Sequence, residues 1–235
     1  MIEVRFHGRG GQGAVTSAEL VALAAIEEGK FAQSFPSFGP ERRGAPVVAF
    51  ARVDEKPIRL RSKVYQPDVA VVLDPSLLKI LDPSQGLKPD GILIINSNKT
   101  LEQVRSEFGF KTKLAVVDAD LIAREELGLL ITNTTMIGAL VKGTGIVQLE
   151  SLTPPLRNRF GRGAERNLKA LRRAFSETLL NHYSKGRRSS GELFSGSPGR
   201  REGGAFIANL CFEGEQTCQN PSINSPGGIF PSAAW

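Results

Sequence analysis

Ile2-Glu3-Val4-Arg5-Phe6-His7, then Gly8-Arg9-Gly10-Gly11-Gln12-Gly13, then Ala14-Val15-Thr16-Ser17-Ala18 reads as strand, glycine loop and helix. Ile2, Val4 and Phe6 alternate with charged residues, the period-2 pattern of a half-buried strand. Four glycines in six residues cannot continue that strand. Beyond them Ala18, Val21, Ala22 and Ala25 fall at helical spacing as far as Glu27-Glu28-Gly29-Lys30. Leu20, Leu23 and Ile26 make the other faces apolar too, so the helix is expected to be largely buried. Gly8, Gly10 and Gly13 also fit the G-x-G-x-x-G spacing. Glycines there let backbone approach an anion, and the helix start supplies free N–H groups and the positive end of a dipole.

Outward from this unit, Val69–Leu73, Ile92–Ile95 and Leu114–Val117 are short apolar runs ended by Asp74, Asn96 and Asp118. Such runs are buried strands of a helix-covered sheet. Val47–Val53 is a further strand and Ile58–Val64 a weaker one. Helical stretches are expected at Ser76–Leu81, Leu101–Phe108, Leu121–Leu127, Asn133–Lys142 and Thr153–Phe160. A long amphipathic helix is expected over Ala164–His182. The alternation predicts a three-layer α/β/α domain with a mostly parallel or mixed central sheet and a C-terminal helix. Phe31–Pro46, with three prolines, reads as an ordered loop. After Ser184 the pattern changes: 20 of the 51 residues 185–235 are Gly, Pro or Ser, and no apolar period survives. The expected organisation is a domain at 1–184 followed by a low-complexity, disordered, irregular tail at 185–235.

Two familiar phosphate-binding signatures fail. A dinucleotide fingerprint needs an acidic residue at the end of a second strand about twenty residues on, where this chain has Phe31-Ala32-Gln33-Ser34-Phe35-Pro36. A Walker loop needs Gly-Lys-Ser/Thr, and here Gly13 is followed by Ala14. A second constellation, Ser37-Phe38-Gly39-Pro40-Glu41-Arg42-Arg43-Gly44-Ala45-Pro46, places paired arginines in a Pro/Gly frame suited to a phosphate, a carboxylate or an acidic partner surface. His7 reads as a hydrogen-bonded strand-end histidine. Asp74 and Asp118 read as helix N-caps, Asn133 as an N-cap or a ligand-orienting amide, and His182 as a helix C-terminal cation.

The chain has 235 residues, a net charge of +6 and a pI near 9.5. The basic balance favours acidic or phosphorylated partners. Two Tyr and one Trp, with phenylalanines not interleaved in a basic run, argue against nucleic acid as partner. The longest apolar runs fall far short of a membrane span, and Glu3, Arg5, His7 and Arg9 interrupt any secretory signal. Cys211 and Cys218 are too few for a cluster or a disulfide framework, so a cytoplasmic, reducing location is expected, with inert thiols and no metal site in this chain.

The glycine loop and the 37–46 motif, in this order, resemble the gamma subunit of the 2-oxoacid:ferredoxin oxidoreductases, with the pyruvate enzyme, pyruvate synthase, as the nearest match. Asn133-Thr134-Thr135-Met136-Ile137-Gly138-Ala139-Leu140 and Arg159-Phe160-Gly161-Arg162-Gly163-Ala164-Glu165-Arg166-Asn167 are similar to later motifs of that family. The resemblance covers residues 1–183. It implies a chain without catalytic residues of its own, working beside alpha, beta and delta-type subunits that hold thiamine diphosphate and iron–sulfur clusters and pass electrons to ferredoxin. It further implies CoA as a shared cofactor, with Gly10, Gly11, Gln12 and Gly13 at one phosphate and Arg42 and Arg43 either nearby or docking a partner subunit. Branched-chain 2-oxoacid and 2-oxoglutarate enzymes stay open. So does a free-standing nucleotide- or RNA-binding module.

Overall fold

A computed structural model describes residues 1–37 and 44–181. Strands β1 (Ile2–Arg9), β2 (Phe31–Pro36), β3 (Pro46–Asp54), β4 (Val69–Val72), β5 (Ile92–Asn96), β6 (Lys113–Val117) and β7 (Leu179–Asn181) form one sheet in the order β2-β3-β1-β4-β5-β6-β7. β1, β4, β5 and β6 run parallel, while β2, β3 and β7 are antiparallel to their neighbours. The sheet is therefore mixed, with a parallel centre.

Helices α1 (Ala14–Glu27), α3 (Ala119–Leu127), α4 (Asn133–Thr144), α5 (Thr153–Phe160) and α6 (Ala164–Glu177) belong to the layer on one face. There Val4, Phe6, Ala49, Ala51, Val71 and Ile94 form one core with Ala18, Val21, Ile122, Ile137, Leu140, Leu168 and Leu171. The opposite face carries α2 (Leu101–Phe108) and a 3-10 turn (Pro75–Lys79). Its smaller core joins Ala70, Val72, Leu93, Ile95 and Val116 to Leu77, Val104 and Phe110. This is the expected three-layer arrangement, with unequal outer layers.

Local chemistry explains most of the boundaries. Asp74 and Asp118 are N-caps, accepting hydrogen bonds from the N–H groups of Ser76 and Leu121. Thr100 and Gln103 close a capping box on α2. Gly109, Gly128 and Gly145 end α2, α3 and α4 in left-handed conformations. No helix among the described residues is long and apolar enough to cross a membrane.

Six expectations are corrected. Phe31–Pro36 is strand β2 rather than loop; its polar Gln33 and Ser34 and terminal Pro36 suit an edge strand with a single neighbour. Ile58–Val64 is not a strand: the Ile58 carbonyl is taken by the Gln33 side chain and those of Leu60 and Ser62 by Arg52, so none of them serves a strand ladder. The last helix stops at Glu177 rather than His182, because Thr178 turns extended and its hydroxyl donates to the Ala174 carbonyl; β7 follows. Asn133 is the first helical residue of α4, with Thr132 at the N-cap position and no side-chain capping bond. On α1, Leu20 is buried but Val15, Leu23 and Ile26 are exposed. His7 is not hydrogen-bonded, as described below. His182 and the 185–235 tail lie outside the described residues.

Candidate functional site

The glycine loop leaves β1 at the carboxyl edge of the parallel strands, where α/β sheets build their sites. It is held in a closed frame. The Gln12 side chain reaches back, its Oε1 accepting from the Arg9 N–H at 2.7 Å and its Nε2 donating to Asp74 Oδ2 at 2.7 Å. The Gln12 N–H donates to the Arg9 carbonyl at 3.0 Å, closing a turn. The Arg9 guanidinium donates to Asp74 Oδ2 at 3.1 Å, to Ser76 Oγ and to the Gly44 carbonyl. Burial pushes the Asp74 carboxyl up, but hydrogen bonds from Ser76 and Gln12 and the Arg9 charge outweigh it and hold its pKa below the ordinary value. Asp74 therefore caps the turn after β4 and also anchors the loop after β1.

A second frame ties the loop to the arginine-bearing segment. The Gly10 N–H donates to the Ala45 carbonyl at 2.9 Å, and the Gly44 N–H donates to the Gly10 carbonyl at 3.3 Å. Gly44 follows Arg43 directly in the chain. Arg42 and Arg43 themselves, with Glu41, lie outside the described residues, as do Cys211 and Cys218.

The loop glycines differ in what demands them. Gly13 sits at φ 83° against α4, where a Cβ would press on Asn133 at 2.9 Å from its Nδ2. That glycine is required by packing. Gly11, at φ 96°, faces open space among the described residues: a Cβ there meets none of their atoms within 4 Å. Its conformation favours glycine, but no neighbour among the described residues does. Among the described residues no side chain caps α1, so its first-turn N–H groups have no side-chain acceptor there.

The later motifs meet behind this loop. The Ser17 hydroxyl donates to the Gly13 carbonyl at 3.1 Å, and the Thr134 hydroxyl donates to Asn167 Oδ1 at 2.9 Å. Asn167 Nδ2 in turn donates to the Gly163 carbonyl. A Cβ on Gly138 would collide with the Leu171 carbonyl, which marks the closest approach of α4 to α6. The motif positions Asn133, Thr134, Gly138, Gly163 and Asn167 thus lock α1, α4 and α6 together behind the loop. Asn133 Oδ1 accepts from the Thr134 N–H, inside this lock.

His7 departs from its expected role. It is 7% exposed and neither ring nitrogen has a hydrogen-bond partner among the described residues. Burial, with the nearby Arg5 charge adding to it, pushes its pKa down to about 4. The imidazole is neutral at pH 7 and belongs to the sheet face that carries Arg5 and Arg9.

Sequence reasoning passed over two residues. One is Arg9, whose signal lay in a basic residue inside a glycine loop with an aspartate ending the next parallel strand. The other is Arg52, 1% exposed, whose signal lay in a lone cation amid the apolar run Val47–Val53. A separate cleft of about 470 Å³ opens between the ends of β5 and β6, lined by Asn96, Lys99, Asp118, Asp120 and Arg124. None of Gly10, Gly11, Gln12 or Gly13 lines it, and its acids and bases balance.

Residues 3–177 match the family described as pyruvate ferredoxin/flavodoxin oxidoreductase. The chain is 57% identical over 182 residues to the pyruvate/ketoisovalerate oxidoreductases common subunit gamma of Pyrococcus abyssi, covering 77% of this chain and 98% of that one. It is 48% identical over 178 residues to pyruvate synthase subunit PorC of Methanothermobacter thermautotrophicus, covering 75% and 96%. Among solved structures, pyruvate oxidoreductase subunit PORC of Thermotoga maritima superposes with a TM-score of 0.68 at 42% identity, covering 77% of this chain and 98% of that one. A keto/oxoacid ferredoxin oxidoreductase gamma subunit from Geobacter sulfurreducens superposes with a TM-score of 0.60 at 25% identity, covering 75% and 98%. The chain therefore belongs to the pyruvate ferredoxin/flavodoxin oxidoreductase family, as a gamma-type subunit of a 2-oxoacid:ferredoxin oxidoreductase.

Proposed function

We propose that this gamma chain supplies the CoA-binding loop of its enzyme, with Gly10, Gly11, Gln12 and Gly13 holding one CoA phosphate and Arg42 and Arg43 beside them. The observation that carries the reading is Gly11: among the described residues it keeps a left-handed backbone with open space where a side chain would stand, next to a helix start that no described side chain caps. A purely structural turn has no use for that opening, whereas an anion approaching backbone N–H groups does. Gln12 acts through its backbone, since its side chain is committed to Arg9 and Asp74. The bonds of Gly44 and Ala45 to Gly10 support a place for the preceding arginines at the same anion. When bound, CoA supplies the thiol that accepts the acyl group. This chain's part is to hold and orient it, while thiamine diphosphate and the iron–sulfur clusters belong to alpha, beta and delta-type partner subunits that pass electrons to ferredoxin.

Pyruvate is the proposed 2-oxoacid. A branched-chain 2-oxoacid is the second reading, favoured by relatives named as a gamma subunit common to pyruvate and ketoisovalerate oxidoreductases. One gamma chain serving two substrates fits a substrate carbonyl that is read in another subunit.

The test is Gly11→Ala in the assembled enzyme. A Cβ at that φ costs about 1–2 kcal/mol and meets no atom of the described residues, so folding survives. The apparent KM for CoA should rise roughly tenfold or more while CoA-independent decarboxylation is unchanged. An unchanged KM for CoA would make the loop a structural turn.

A further inference from the structure

Strand β2 is an edge of the sheet: β3 pairs with one side, and among the described residues nothing pairs with the other. The segment 55–64 has no regular structure but is fastened to side chains on one face of β2 and β3. The Arg52 guanidinium, 1% exposed and paired with Glu3 at 2.9 Å, donates to the carbonyls of Leu60 and Ser62. Gln33 Nε2 donates to the Ile58 carbonyl at 3.0 Å. The fastening turns Lys56, Arg59, Arg61 and Lys63 outward. All four are exposed and make no ion pair among the described residues. Between segment and strand lies a cleft of about 530 Å³, lined by Phe35, Pro36 and Leu60 with Arg61 and Lys63.

We propose that the open edge of β2 and this cleft receive an extended acidic segment of a partner subunit of the enzyme. Three features converge on that occupant. An unpaired strand edge offers a row of backbone donors and acceptors that a polypeptide in extended form satisfies. The four free cations are spread over eight residues of the segment fastened to β2 and β3, with Arg61 and Lys63 at the cleft, a spread that matches carboxylates along a strand rather than one small anion. The apolar lining accepts an alternate side chain of the added strand. Nucleic acid fits less well, because Arg52 lies over the Phe35 ring at 5.2 Å and Phe50 packs against it at 5.3 Å. That ring is thereby taken as a stacking face. The proposal rests on the chain being a subunit and does not depend on the CoA reading.

The test compares hydrogen exchange of the full chain, free and in the assembled enzyme, without CoA. Amides in 31–36 and 56–64 should both gain protection on assembly. Arg61→Glu with Lys63→Glu should weaken assembly about tenfold and flatten its salt dependence. These side chains are exposed and unpaired, so the variant keeps the wild-type melting temperature and circular dichroism. Assembly that leaves either segment unprotected would overturn the proposal. So would protection that arises only on adding CoA to the assembled enzyme, or on adding poly(U) RNA to the free chain.

Discussion

His7 carries a cost in the folded state. Both its ring nitrogens are buried without partners, and each such group forfeits about 1–3 kcal/mol of solvation. Its pKa of about 4 in the folded protein lies below the ordinary 6.5. The unfolded chain therefore binds the proton first as pH falls. Stability is full above about pH 6.5 and is lost down to about pH 4, by about 3 kcal/mol in all. The carboxyls of Asp74 and Glu28, held low in the fold, add to the loss only nearer their own ordinary values. His7→Leu should flatten the fall in melting temperature between about pH 6.5 and pH 5. An unchanged slope would show that the imidazole is protonated or hydrated in the fold. A strand-end histidine was legible in the sequence, but its isolation was not. That follows from Arg5 turning to the Pro83 and Gln85 carbonyls and Arg9 to Asp74, which are contacts between residues distant in sequence.

At the scale of elements, the sequence was read well where a face is buried and poorly at the margins of the sheet. β4, β5 and β6 emerged from continuous apolar runs because both their faces are covered. β2 and β7 did not, since an edge strand need not be apolar and Leu179-Leu180 continue the helical run of α6. The 58–64 stretch alternates like a strand because one side faces the sheet. Its carbonyls, however, are held by side chains of Gln33 and Arg52, a pairing that no periodicity reveals. The family motif at 133–140 proves to be a packing device. Gly138→Ala would drive a methyl group into the Leu171 carbonyl and force α4 from α6, costing about 1–3 kcal/mol. Chemical denaturation should register this as a lower midpoint with an unchanged slope. A wild-type midpoint would mean that the two helices separate freely.

For the whole molecule, the candidate site was legible as a motif and not as a mechanism of support. The six residues 8–13 have the glycine spacing that suits an anion-binding loop. What holds the loop is Asp74, more than sixty residues on, and Gly44 and Ala45, which lead into the neighbouring strand β3. Only the sheet order, with β1 between β3 and β4, brings these together. The same order places α1, α4 and α6 behind the loop, so the glycine loop and the stretches 133–140 and 159–167 meet at one corner. The central claim is that this corner carries CoA for the assembled enzyme. The most direct measurement is a structure of the assembled enzyme with CoA bound. A CoA phosphate is expected about 3 Å from backbone N–H groups of Gly11, Gly13 or Ala14. CoA held wholly by other subunits, with no phosphate at this loop, would contradict it.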